Sequence, residues 1–273
     1  MIRGLFLFSL IVSVISCTSI EEDRTGCPCW FEIDFSQVDP RIEKLYLWFF
    51  QDGDNPPLRD SLTCSDYDDV YEIELKRGTV GFHVWGNVLE NTTLEFPGTS
   101  GPVLKNGGGM QADPLYSYST TLDTGGEEGA DVVRLKREYA DVEIILKGAA
   151  SEKDGLWIKL DCGTSGRYVD GRFLDESMSL YAVATVDAAN CKASFRLLRQ
   201  SSLRCLKMSV LRDVSSDSYI MEDFPIGEVM LGNGYDMLGD NLQDIMVVVD
   251  VASGKVIICT EGWETVIYVD VRL

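Results

Sequence analysis

The chain has 273 residues, and its 44 acidic against 24 basic side chains give a formal net charge of −20. That balance excludes a nucleic-acid partner, since phosphate binding rests on lysines and arginines; acidity on this scale serves solubility and repulsion rather than fold. A hydrophobic fraction of 45% with only 8 prolines predicts a folded body, long enough for two domains.

The first element is an export signal. Arg3 is a positive n-region, followed by an apolar run from Leu5 to Ile15 broken only by Ser9 and Ser13. The run is too short to cross roughly 30 Å of hydrocarbon, which takes about 20 apolar residues, so residues 1–16 read as a signal peptide. Val14-Ile15-Ser16-Cys17 resembles a bacterial lipobox, which implies acylation of Cys17 and attachment to the outer membrane. Each buried chain CH₂ is worth about 0.8 kcal/mol, enough for several acyl chains to hold a protein durably. Residues 17–26 form an acidic tether around Glu21, Glu22 and Asp23, similar to the surface-export signal of Bacteroidota lipoproteins.

Beyond the tether the pattern has period two, as for half-buried strands. Phe31, Ile33 and Phe35 alternate with Trp30, Glu32, Asp34 and Ser36. Leu45 to Phe50 predicts a second strand with Tyr46, Trp48 and Phe50 on one face, and strands follow at 71–75 and 80–85. The glycines and prolines between Glu90 and Asp113 predict a long loop, a length that is uncommon in a compact domain and often functional. Asp131 to Arg137 returns to strand character. A second block opens at Tyr139, with Val142, Ile144 and Leu146 facing one way. Strands are predicted at 156–161, 180–186, 191–198 and 205–210, then at Ile245–Val249, which is apolar on both faces. Ala252-Ser253-Gly254-Lys255 marks a hairpin, and Ile267, Val269, Val271 and Leu273 close the chain in alternation. Helical signals are nearly absent. Short strands in two successive blocks indicate β-sandwiches, with domains over residues 27–137 and 138–273.

Little in the chain points to catalysis. His83 is the only histidine, and it alternates with inward-facing Phe82 and Val84 on a strand surface beside Trp85. No nucleophile elbow, zinc-protease motif or phosphate loop occurs, and the acidic clusters at 52–54 and 66–69 do not match a calcium loop. The expectation is a non-enzyme without cofactor or metal. With Cys17 acylated, seven cysteines remain, an odd number that cannot pair completely within the chain. A bond from Cys27 or Cys29 to Cys64, and a role as small apolar side chains, both stay open.

Asp23-Arg24-Thr25-Gly26-Cys27-Pro28-Cys29, leading into an alternating strand, resembles the opening of the FimB family. These are anchor lipoproteins of Bacteroidales type V fimbriae. Gly262-Trp263-Glu264 before the final strand is similar to the closing hairpin of many such proteins. The resemblance implies an all-β fold of two transthyretin-like β-sandwich domains in series. It also implies seating of a fimbrium through fimbrial shaft or accessory subunits, by strand exchange. The candidate edges for that exchange are the first strand, with Trp30, Phe31, Ile33 and Phe35, and the last, with Ile267, Val269 and Val271. The alternative is a surface carbohydrate-binding lipoprotein that stacks sugars on Trp48, Trp85 or Trp157. A hydrolase built on a carboxylate pair is a further rival.

Overall fold

A computed structural model describes residues 27–51, 57–96, 101–109, 111–149, 156–187, 190–215, 218–240 and 242–268. Cys17, the signal peptide, the tether, Val269 and Val271 lie outside the described residues. The fold is all-β, two β-sandwiches in series.

In the first sandwich β1 (Cys29–Asp34) lies between β4 (Tyr71–Leu75) and β9 (Glu128–Val132). Its period-two sequence gives what was expected: Cys29, Phe31 and Ile33 point into the core, and Trp30 and Glu32 point out. The facing sheet runs β10 (Lys136–Arg137), β8 (Tyr116–Asp123), β5 (Thr79–Gly86), β2 (Lys44–Gln51), β3 (Leu58–Thr63). Leu45, Leu47 and Phe49 of β2 and Val80, Phe82 and Val84 of β5 meet Phe31, Ile33 and Phe35 in one buried cluster. Phe49 and Phe82 stack there with ring centres 4.7 Å apart.

The second sandwich is one nine-stranded sheet folded on itself. Its order is β18 (Ser218–Phe224), β17 (Lys207–Asp213), β12 (Leu156–Cys162), β15 (Met178–Asp187), β16 (Asn190–Leu198), β11 (Tyr139–Lys147), β19 (Ile245–Asp250), β20 (Lys255–Cys259) and β21 (Glu264–Tyr268). The fold line is β15, which pairs with β12 as far as Ala184 and with β16 from Thr185 onward. A strand that changes partners in this way carries the chain from one layer to the other. Val142, Ile144 and Leu146 sit at the centre of the enclosed core with Val247 and Val249. Both sandwiches use their opening strand alike. β1 is antiparallel to β4 and parallel to β9, as β11 is antiparallel to β16 and parallel to β19.

Two expectations need correction, two elements were not anticipated, and one open question is answered. β1 carries ladders on both sides, so Trp30, Phe31 and Ile33 are on an interior strand; Phe35, just beyond it, is fully buried. An alternating pattern specifies faces but says nothing of lateral neighbours. The segment from Glu90 to Asp113 contains a hairpin, β6 (Thr92–Glu95) and β7 (Val103–Asn106). β18 and the seven-residue helix α1 (Ile226–Gly232) were not anticipated; α1 is too short to show a helical period. Finally, the seven described cysteines are all free thiols, so no bond joins Cys27 or Cys29 to Cys64. Cys29 and Cys191 behave as small core side chains, and burial pushes the Cys162 thiol up to about 12.

Candidate functional site

The hairpin β6–β7 does not close on its own domain. β7 pairs with β13 (Gly166–Tyr168) of the second half, and β13 pairs with β14 (Phe173–Leu174), so one four-stranded sheet is shared by both halves. It lies over the face of β2 and β5 that alternation assigned to solvent. Trp48 and Trp85 are therefore only 2% and 1% exposed, clustered with Leu104, Leu115, Val169 and Leu198. The indole N–H of Trp85 donates to the Val169 carbonyl at 2.9 Å. Asp113, also buried, accepts from the backbone N–H groups of Leu89, Asn91 and Thr92, which fixes the approach to β6. His83, on the same face as Trp85, is partly buried, hydrogen-bonded to Ser119 at 2.8 Å and set against the edge of Phe50.

Beside this apolar seam lies a charged one. Glu138 is the residue between β10 and β11, and its backbone ties the halves together. Its N–H donates to the Leu115 carbonyl, and its own carbonyl accepts from Arg199. The buried carboxylate meets Arg199 Nε at 3.0 Å and Arg167 Nη1 at 3.1 Å, and accepts from Ser117 Oγ at 2.6 Å. Nothing local in the sequence announced these groups. Each is one charge at an alternating position, and only the tertiary fold brings them together. The visible hint was the run of large apolar side chains on the outward face of β2, since a broad apolar patch on a soluble protein marks a contact surface.

The two candidate edges fare differently. β1 offers none. Among the described residues β21 pairs with β20 alone and forms the outer edge of the nine-stranded sheet. Ile267 packs against the second core, while Tyr268 beside it is 71% exposed. β3 is the corresponding edge of the first sandwich, with Leu58 exposed and its side chains mostly polar. On the outer face of β1, Trp30 is 55% exposed. It stands in register between Glu74 of β4 and Glu128 of β9, with Glu32 and Glu72 paired one step along. Among the described residues no group of three or more metal-ligating side chains is gathered, and no helix is long and apolar enough to cross a membrane.

No protein-family model matches the chain, and no curated protein matches it in sequence. The fold is shared with solved structures. It resembles the fimbrial anchor protein Mfa2 from Porphyromonas gingivalis with a TM-score of 0.65 and 15% identity, over 87% of this chain and 99% of that one. A DUF1812 protein from Bacteroides thetaiotaomicron, a candidate polysaccharide-binding protein, aligns with a TM-score of 0.64 and 13% identity over 88% and 98% of the two chains. A candidate adhesin from Bacteroides ovatus aligns with a TM-score of 0.60 and 14% identity over 93% and 99%. At these identities the likeness is one of fold.

Proposed function

We propose that this protein is a non-catalytic surface lipoprotein that seats a fimbrium on the outer membrane. The observation that carries the reading is architectural: the fold aligns over 87% of this chain with 99% of the anchor Mfa2. The lipobox-like Val14-Ile15-Ser16-Cys17 supplies the membrane end. The edge of β21, paired on one side among the described residues, presents backbone groups to which a fimbrial subunit adds a strand, main-chain hydrogen bonds giving affinity and alternate side chains giving register. Deleting the gene is expected to release fimbriae into the medium or change their length, and Cys17→Ala is expected to move the protein out of the membrane fraction. Fimbriae of normal length and retention in the deletion strain would overturn the reading.

A second reading, carbohydrate binding, is favoured by one observation. Trp30 offers an open indole face with carboxylates on both flanks, a ring to stack on a sugar and acceptors for its hydroxyls. Trp48 and Trp85 do not support it, because both are buried in the seam. Glycan binding that disappears in Trp30→Ala, with fimbrial retention unchanged, would favour this reading over the anchor.

A further inference from the structure

The seam between the sandwiches holds a half-open cavity of about 290 Å³. Its wall takes Trp85 from the first half, Lys136 and Glu138 from the crossing, and Arg167, Phe173 and Arg199 from the second. Two guanidinium groups are buried there against one carboxylate. Glu138 Oε2 is shared between them, and Oε1 already accepts from Ser117. At the mouth Lys136 and Asp240 neutralise each other at 2.6 Å. Asp170, the other carboxylate acting on Arg167, is paired with Arg172 at 2.7 Å. One positive charge in the wall is left without a counter-charge.

The hydrogen bonds place that charge on Arg167. Arg199 donates from Nε to Glu138, from Nη1 to the carbonyls of Met237 and Gly239, and from Nη2 to the carbonyl of Arg137. Arg167 donates a hydrogen bond from Nη2, to the Gly171 carbonyl at 2.6 Å; its Nη1 meets Glu138 Oε2 only as an ion pair at 3.1 Å, an oxygen it shares with Arg199, and its buried Nε makes no hydrogen bond. Burial pulls its pKa below the ordinary arginine range, against the opposing influence of Glu138. A buried cation short of partners is costly, and a carboxylate is the acceptor that forms the strongest hydrogen bonds with a guanidinium. The Phe173 ring lies 4.0 Å from the guanidinium carbon, and Trp85 adds a second aromatic surface. The cavity is therefore polar at one spot and apolar around it, just under the roughly 300 Å³ at which the size range of small-molecule sites begins.

We propose that the seam cavity binds a small organic carboxylate of the size of an acidic monosaccharide. The ligand's carboxylate supplies the negative charge missing at Arg167, and its body rests against Phe173 and Trp85. The site spans both halves, so its occupant adds to what holds them together. The test is calorimetric titration of the full chain with glucuronate, with glucose and inorganic phosphate run at matched ionic strength. Glucuronate is expected to saturate one site and raise the unfolding midpoint, and glucose to do neither. Arg167→Gln should weaken binding at least about tenfold, the loss of one charge-assisted contact. Because Arg167 also faces Glu138, its replacement can disturb the fold. Lys136→Glu alters only the exposed mouth and should weaken glucuronate about threefold in a folded protein. Absence of saturable glucuronate binding at millimolar concentration would overturn the proposal. So would an affinity unchanged in both variants, or a site that takes phosphate and refuses glucuronate.

Discussion

Glu138 is one carboxylate on which two arginines and a serine converge, and it sits where the chain passes from the first sandwich to the second. Removing it would leave Arg167 and Arg199 buried without their common counter-ion, and a broken buried pair costs far more than an intact one contributes. Glu138→Gln is expected to destabilise the protein by about 3 kcal/mol, measured by urea denaturation, while Lys136→Gln at the exposed pair changes it by less than about 1 kcal/mol. His83 gives a second test at this scale. Burial among Phe50 and the neighbouring strand lowers its pKa, with Asp170 opposing weakly. The native state then binds fewer protons than the unfolded chain wherever the pH lies between the lowered pKa and the ordinary value of about 6.5. Stability is expected to be full above that value and to fall as the pH drops through it toward the folded pKa. With a single histidine in the chain, His83→Asn should flatten the unfolding midpoint between pH 7.5 and about 5.5, above the range where carboxylates titrate.

Among the elements, the shared sheet β6–β7–β13–β14 does most to join the halves, and its weakest tolerance is at Gly166. A Cβ there would run into the Leu104 carbonyl and the backbone of Lys105 on β7, leaving no flexible side chain to give way. Gly166→Ala is expected to part β13 from β7 and to cost about 1–3 kcal/mol. The signature would be new hydrogen exchange at the amides of Val103–Asn106 and Gly166–Tyr168, with the two sandwich cores still protected. Strands with one wet and one dry face were legible in the sequence, because alternation reports burial directly. β1, β2, β4, β5 and β11 fall where the pattern put them. What alternation cannot report is what covers the other face. Trp48 and Trp85 were read as outward, which is right for their own sandwich, and the hairpin that covers them lay hidden in a glycine-rich stretch that reads as loop. The charged seam was illegible for a related reason: Glu138, Arg167 and Arg199 are far apart in the chain and share no spacing.

At the scale of the whole molecule, one aromatic cluster, one ion-pair network and one sheet all cross the same seam, so the two halves form a single stiff body. In the proposed anchor such a body would be held through Cys17 and bound along β21, the last strand in the order of the nine-stranded sheet. The position of β1 has a mechanical consequence. In the proposed anchor, tension on the chain ahead of the described residues would pass into β1, the first strand of the body. Its ladders to β4 and β9 lie on both flanks of its axis, so their hydrogen bonds are loaded in shear, together. A strand on an open edge, pulled the same way, would share the load over one ladder instead of two. The interior place that rules β1 out as a site of strand exchange makes it the strand best able to bear the load.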